Sequence, residues 1–178
     1  MSTWWSEHPD LESLARRARL EYTEETAAAE QDTELLRKRR RSLTDVCFEW
    51  MSRGDEVTIA VGDAHFAGRL VAVVNDLAVL RTTTIEVGFN LDAVDFVRSN
   101  RRGALTGSSG ERSVSSFRAL LGRFEIDGTE IRVVGRGKAF DLAGTIDAST
   151  EDHVLVRDGQ GLEWALPRRA IAFVVGAT

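Results

Sequence analysis

Five adjacent cations, Arg37, Lys38, Arg39, Arg40 and Arg41, are the sharpest charged feature of the chain. On a helix surface such a run can neutralise several phosphates at once, giving salt-dependent, sequence-blind binding of nucleic acid. The acidic stretch Glu21 to Asp32 stands just before it, so the same run can also be matched within the chain or between subunits. Arg136 and Lys138, then Arg168 and Arg169, add cations further along. Convergence of these groups on one face would favour a nucleic-acid surface.

Other residue types with chemical potential lack the spacing that chemistry needs. Gly135-x-Gly137-Lys138 is short of a phosphate loop and no helix follows to offer its N-terminus to an anion, so a hairpin turn is expected. His8, His65 and His153 have neither a helical-spacing partner nor a nearby cysteine, and no metal or cofactor is expected. Cys47 falls on an apolar helix face, which makes it a small core residue before a nucleophile. Glu56 and Glu130, and Glu86 and Glu163, recur at equivalent places; exposed strand carboxylates kept through a duplication explain them without acid–base catalysis. An enzyme is not expected. Trp4 and Trp5 stand on a polar N-terminal arm, where an aromatic pair either anchors the arm or meets a partner.

The chain has 178 residues, 43% hydrophobic and 29% charged, with a formal net charge of -5 at pH 7. That composition is globular, and its negative sum argues against whole-surface nucleic-acid binding. No apolar run reaches the roughly 20 residues of a membrane helix, so no membrane contact is expected. The N-terminus lacks a secretion signal and the single cysteine precludes an internal disulfide, so the cytoplasm is the expected compartment.

The elements that must position these residues are given by a duplication. Residues 54 to 97 align with residues 128 to 174 across three small gaps at turn-like positions. Gly54, Glu56, Gly68, Asp76, Arg81, Glu86, Ala93, Phe96 and Val97 meet Gly128, Glu130, Gly144, Asp152, Arg157, Glu163, Ala170, Phe173 and Val174. The helix before each copy belongs to the repeat, because Leu43, Val46, Cys47 and Trp50 align with Phe117, Leu120, Leu121 and Phe124. Period-two alternation predicts five short strands per copy, the last of copy one at Val94 to Val97. Upstream, helical spacing predicts one helix from Asp10 to about Gln31 and a second from Thr33 to Ser52, with Ser42 and Asp45 in a capping-box spacing that can restart it. Trp50 and Trp164 lie on apolar stripes and are expected in the core. In copy one the second and third strands are apolar on both faces, so the outer face bearing Val71 and Val73 must be covered by the N-terminal helices, the second copy or another subunit.

A helix followed by five bent strands, with a strand-two glycine, an Asp in the next turn and a closing A-φ-x-F-V strand (φ, apolar), resembles the Sm-like, SH3-like small barrel. The chain thus resembles two such barrels in tandem: an N-terminal helical extension over 1–41, a barrel over 42–98, a linker over 99–112 and a barrel over 113–178. The RNA-binding motifs of Sm proteins are missing: Asp76 and Asp152 are not followed by the expected Asn, and no Arg-Gly or Lys-Gly precedes Val94 or Ile171. The layout also resembles uncharacterised proteins of high-GC Gram-positive bacteria, some labelled transcriptional regulators. Arginine-rich patches on such a scaffold point to a non-enzymatic regulatory module binding RNA or DNA, RNA slightly favoured, through the nine cations named above. The alternative is a protein-interaction or assembly module using the N-terminal helix, Trp4, Trp5 and the barrel edges, since Sm-like barrels join edge to edge into rings.

Overall fold

The computed structural model describes residues 9–103 and 114–176. It divides into two compact units, Met1–Arg41 and Ser42–Thr178. In the first, α1 (Pro9–Arg40) is one uninterrupted helix with Arg37, Lys38, Arg39 and Arg40 in its last turn, where cations meet the negative end of the helix dipole. The break expected near Gln31 is absent because no Gly or Pro interrupts the sequence there; it falls instead at Arg41–Ser42.

The second unit opens with α2 (Leu43–Arg53), whose start is a complete capping box: the Ser42 hydroxyl accepts from the Asp45 amide and the Asp45 carboxylate accepts from the Ser42 amide. Gly54, at φ 68°, ends the helix in a left-handed turn. There follow β1 (Glu56–Val61), β2 (Ala64–Val74), β3 (Leu77–Arg81), β4 (Glu86–Asn90) and β5 (Phe96–Arg101). The second copy repeats this as α3 (Phe117–Asp127), β6 (Glu130–Gly135), β7 (Asp141–Ser149), β8 (His153–Asp158), β9 (Glu163–Pro167) and β10 (Ile171–Gly176), with a short 3₁₀ turn over Arg136–Lys138. Among the described residues no helix is long and apolar enough to cross a membrane.

The strands do not form two closed barrels. They form one open ten-stranded sheet in the order β5-β1-β2-β3-β4-β10-β6-β7-β8-β9, antiparallel throughout. The expected closure fails because β4 does not return to β5 of its own copy: its free edge is taken by β10, through Phe89, Gly88 and Val87 opposite Phe173, Val174 and Val175. A strand edge must be paired or covered, and here the other copy pairs it.

Within the sheet the duplication extends to the bend of the second strand. Each second strand bends at a bulge, between Leu70 and Ala72 in β2 and between Ile146 and Ala148 in β7. Two cores result. One gathers Cys47, Val57, Ile59, Leu80 and Phe89, the other Phe117, Leu121, Ile131, Val154 and Val156. The strand β3 serves both, sending Ala78 and Leu80 into the first and Leu77 into the second, with Val79 packed against it. Its two apolar faces are thereby explained. Val73 is 4% exposed and lies in the first core, while Val71 falls at the bulge and is half-buried, so the chain itself covers Val73.

Two further expectations need correction. The fifth strand begins at Phe96 rather than Val94 and runs to Arg101, because pairing with β1 continues past a bulge at Glu56 and Val57 into residues expected to be linker. Trp164 is 43% exposed rather than core, since β9 is an outermost strand with no sheet beyond it. Trp50 is half-buried against the first core.

Candidate interaction surfaces

The junction between the copies is the best-built surface of the second unit. Three residue pairs join β4 to β10, and the rings of Phe66, Phe89 and Phe173 meet across it, edge-to-face or tilted, at centroid separations of 4.8 to 5.6 Å. The helix α3 then straddles the seam. Its first amide, Phe117 N–H, donates to Asp76 Oδ1 at 2.9 Å, and Asn75 Nδ2 donates to the Ser115 carbonyl at 2.9 Å, both in the β2–β3 turn of the other copy. Leu120 lies over Gly88 so closely that a Cβ there would meet Leu120 Cδ2 at 2.3 Å. Buried Asn90 donates to the Ile171 carbonyl at 3.1 Å and closes the far end.

At the two ends of the sheet β9 and β5, the equivalents of β4 and β10, have no second neighbour among the described residues. Each carries exposed apolar bulk: Phe96 is 45% exposed and Trp164 43%, with Leu162, in the turn before β9, at 55%. The Trp164 indole is nevertheless oriented, donating from Nε1 to Asp158 Oδ2 at 2.9 Å, and this bond holds the Asp158 carboxyl below its usual range. On the same rim Arg157 pairs with Glu163 and Asp147, as Arg81 pairs with Glu86 in copy one at 2.6 Å. The recurrent Glu86 and Glu163 are therefore partners of recurrent arginines across a strand pair.

The cations singled out in the sequence are scattered. Arg37, Lys38, Arg39 and Arg40 are exposed on α1, with Arg37 and Lys38 at 4.0 and 3.8 Å from Glu34, and Arg41 is half-buried. In the second unit Lys138 lies 3.8 Å from Asp63, where the 3₁₀ turn meets the β1–β2 turn, and Arg136 is exposed beside it. Arg168 and Arg169 instead line a cavity of about 680 Å³ that also holds Asp76, Asp92, Glu151 and Asp152. Those four carboxylates make it a poor receptor for phosphate. The second-unit cations thus occupy two separate places, one ion-paired and one acid-lined. Trp4 and Trp5 lie outside the described residues.

Among the described residues two titratable groups are fully buried. Burial pushes the Cys47 thiol up to about 11, so at neutral pH it is a protonated packing residue. Asp55 is also 0% exposed. Burial opposes its ionisation, but Arg53 donates to it at 2.7 and 3.2 Å, the Gly103 amide at 2.9 Å and the Ser99 hydroxyl at 3.4 Å, and together these hold its carboxyl below the usual range. It clamps the outgoing chain after β5 to the end of α2. A folded pKa below the unfolded value of about 3.9 means the contribution is complete above that pH and is lost as pH falls through the folded value. Asp55→Asn is expected to lower stability at pH 7 by about 1–2 kcal/mol and to flatten the decline of Tm below about pH 4. Thermal melts between pH 7 and 2 check this; an unchanged acid limb contradicts it.

The residues of the outer edges escaped sequence reasoning, although one signal was present. Gly88 aligns with Ala165 and Leu120 with Val46, so the strand residue grows while the helix residue shrinks. A compensating pair of this kind marks a contact.

A scan against protein-family models gives no match, and no curated protein matches the chain significantly.

Proposed function

We propose that the protein is a cytoplasmic, non-enzymatic assembly module that makes its contacts through the edges of its sheet. One observation supports this above others: among the described residues both terminal strands lack a second neighbour and expose large apolar side chains, although the chain pairs the same kind of edge in its interior. Open edges with apolar bulk are templates for another strand.

A second reading, sequence-blind binding of RNA or DNA, draws on the four exposed cations in the last turn of α1. Both readings are tested by light scattering of the full chain from low to high micromolar concentration, alone and with mixed RNA at two salt concentrations. The assembly reading expects mass above one chain without RNA and little sensitivity to salt. A single-chain mass at every concentration overturns it. RNA binding that falls steeply with salt, flattened when Arg37 to Arg41 are changed to Ala, would install the second reading.

A further inference from the structure

We propose that α1 pairs antiparallel with α1 of a second copy, as a two-stranded coiled coil whose two-fold axis lies between Thr23 and Glu24. The contact is separate from the sheet edges and does not depend on them.

The helix lacks cover of its own. It runs for 32 residues, about 48 Å. Every side chain described on it from Arg16 to Arg40 is exposed, and Leu20, Tyr22, Leu35 and Leu36 are so by 52 to 72%. Among the described residues its ion pairs gather at one end, where Glu34 meets Arg37 and Lys38. A long helix with so few internal supports is held by a partner along its length.

The sequence carries the repeat that such a partner reads. Ala15, Tyr22, Ala29 and Leu36 recur at intervals of seven, and Leu11 and Ala18 stand four residues before the first two of them. These are the a and d positions of a heptad, the seam of a left-handed coiled coil. The remaining d positions are Glu25, Asp32 and Arg39, and they decide the orientation. In a parallel pair each of them would meet its own equivalent, like charge against like. In an antiparallel pair a positions face d positions, so none of them does.

Charge fixes the register. Three blocks alternate along α1: basic from Arg16 to Arg19, acidic from Glu21 to Glu34, basic from Arg37 to Arg40. With the axis between Thr23 and Glu24, Arg16 and Arg17 stand level with Gln31 and Glu30 of the second copy, and Arg37 with Asp10. The same register sets Leu36 level with Leu11, Ala29 with Ala18, and Tyr22 with Glu25, a phenol donor with a carboxylate acceptor. Sliding by one heptad one way brings Arg16 and Arg17 level with Lys38 and Arg37; sliding the other way carries Leu36 past the start of the helix at Pro9. Thr26, which flanks the seam, is satisfied within its own helix, where its hydroxyl donates to the Tyr22 carbonyl at 2.7 Å. Glu21 and Glu24 of both copies gather near the axis, which limits the strength of the pair and keeps it reversible. A two-fold contact of this kind closes at two chains.

The test uses the full chain. Chains with Leu11→Cys mixed with chains carrying Leu36→Cys are expected to give a disulfide-linked dimer under mild oxidation, and either variant alone gives none; Cys47, buried in the second unit, stays silent. A parallel pair would link each variant to itself, and that result overturns the proposal. Tyr22→Glu sets a second carboxylate level with Glu25 and is expected to raise the concentration of half-association by about tenfold or more, whereas Tyr22→Arg keeps it near the native value. Both variants leave the Tm of the second unit unchanged, because Tyr22 is 72% exposed. A native chain that associates without the mixed cross-link, or to which the two Tyr22 variants do equal harm, overturns this pairing and leaves the sheet-edge reading standing. A chain that stays single at every concentration overturns both.

Discussion

Gly68→Ala and Gly144→Ala are each expected to destabilise the second unit by more than about 3 kcal/mol. Both glycines sit in the long second strand of their copy, just before the bulge. A Cβ at Gly68 would lie 2.2 Å from the Arg81 carbonyl oxygen, and one at Gly144 would lie 2.1 Å from that of Arg157. In each case the obstacle is backbone of the neighbouring strand, itself fixed by pairing to that strand, so no rotamer change relieves it. The sheet must open locally or lose its bend. Because β2 and β7 carry one core each, either change should unfold its own half first, and hydrogen exchange would show protection lost on one side of the β4–β10 seam before the other. Gly122→Ala is the matched control: nothing lies within 4 Å of a Cβ there, in mid-α3, and alanine should stabilise by up to about 1 kcal/mol. Chemical denaturation of the three variants separates the cases, and a loss below 1 kcal/mol at Gly68 would show that the strands can part at no great cost.

Those two glycines also show which parts of the fold were legible in the sequence. Their equivalence, with that of Gly54 and Gly128, Arg81 and Arg157, and Glu86 and Glu163, follows from residue identity, and each pair does the same local job in both copies. Period-two alternation located the strands for the same reason: it reports which face of a strand is buried. It carries no information about which strand lies alongside. The partner of β4 is decided by backbone hydrogen bonds, which every residue but proline can make, and so its pairing with β10 could not be read from alternation. Trp164 failed for a related cause, since an apolar stripe on an edge strand and one on a central strand read identically. The cations were legible as charges but not as a surface. Lys138 meets Asp63, and Arg168 and Arg169 share a cavity with the carboxylates of the turn that bears Asp152, residues that lie apart in the chain.

The second large effect is expected at the inner seam and decides whether helix and strand there are truly matched in size. Gly88→Ala forces a Cβ to within 2.3 Å of Leu120 Cδ2, and the side chain has little room to retreat because its helix is held to the β2–β3 turn through Asp76 and Asn75. A cost of about 2–3 kcal/mol is expected, the usual range for overpacking a filled site. Leu120→Val alone should cost about 1 kcal/mol through the space it vacates. The double variant, which installs at the inner seam the alanine and valine found at Ala165 and Val46, should cost less than the sum by about 1–2 kcal/mol, because the added methyl group occupies what the shortened side chain gives up. Additivity within about 0.3 kcal/mol would mean that the two residues do not share one space.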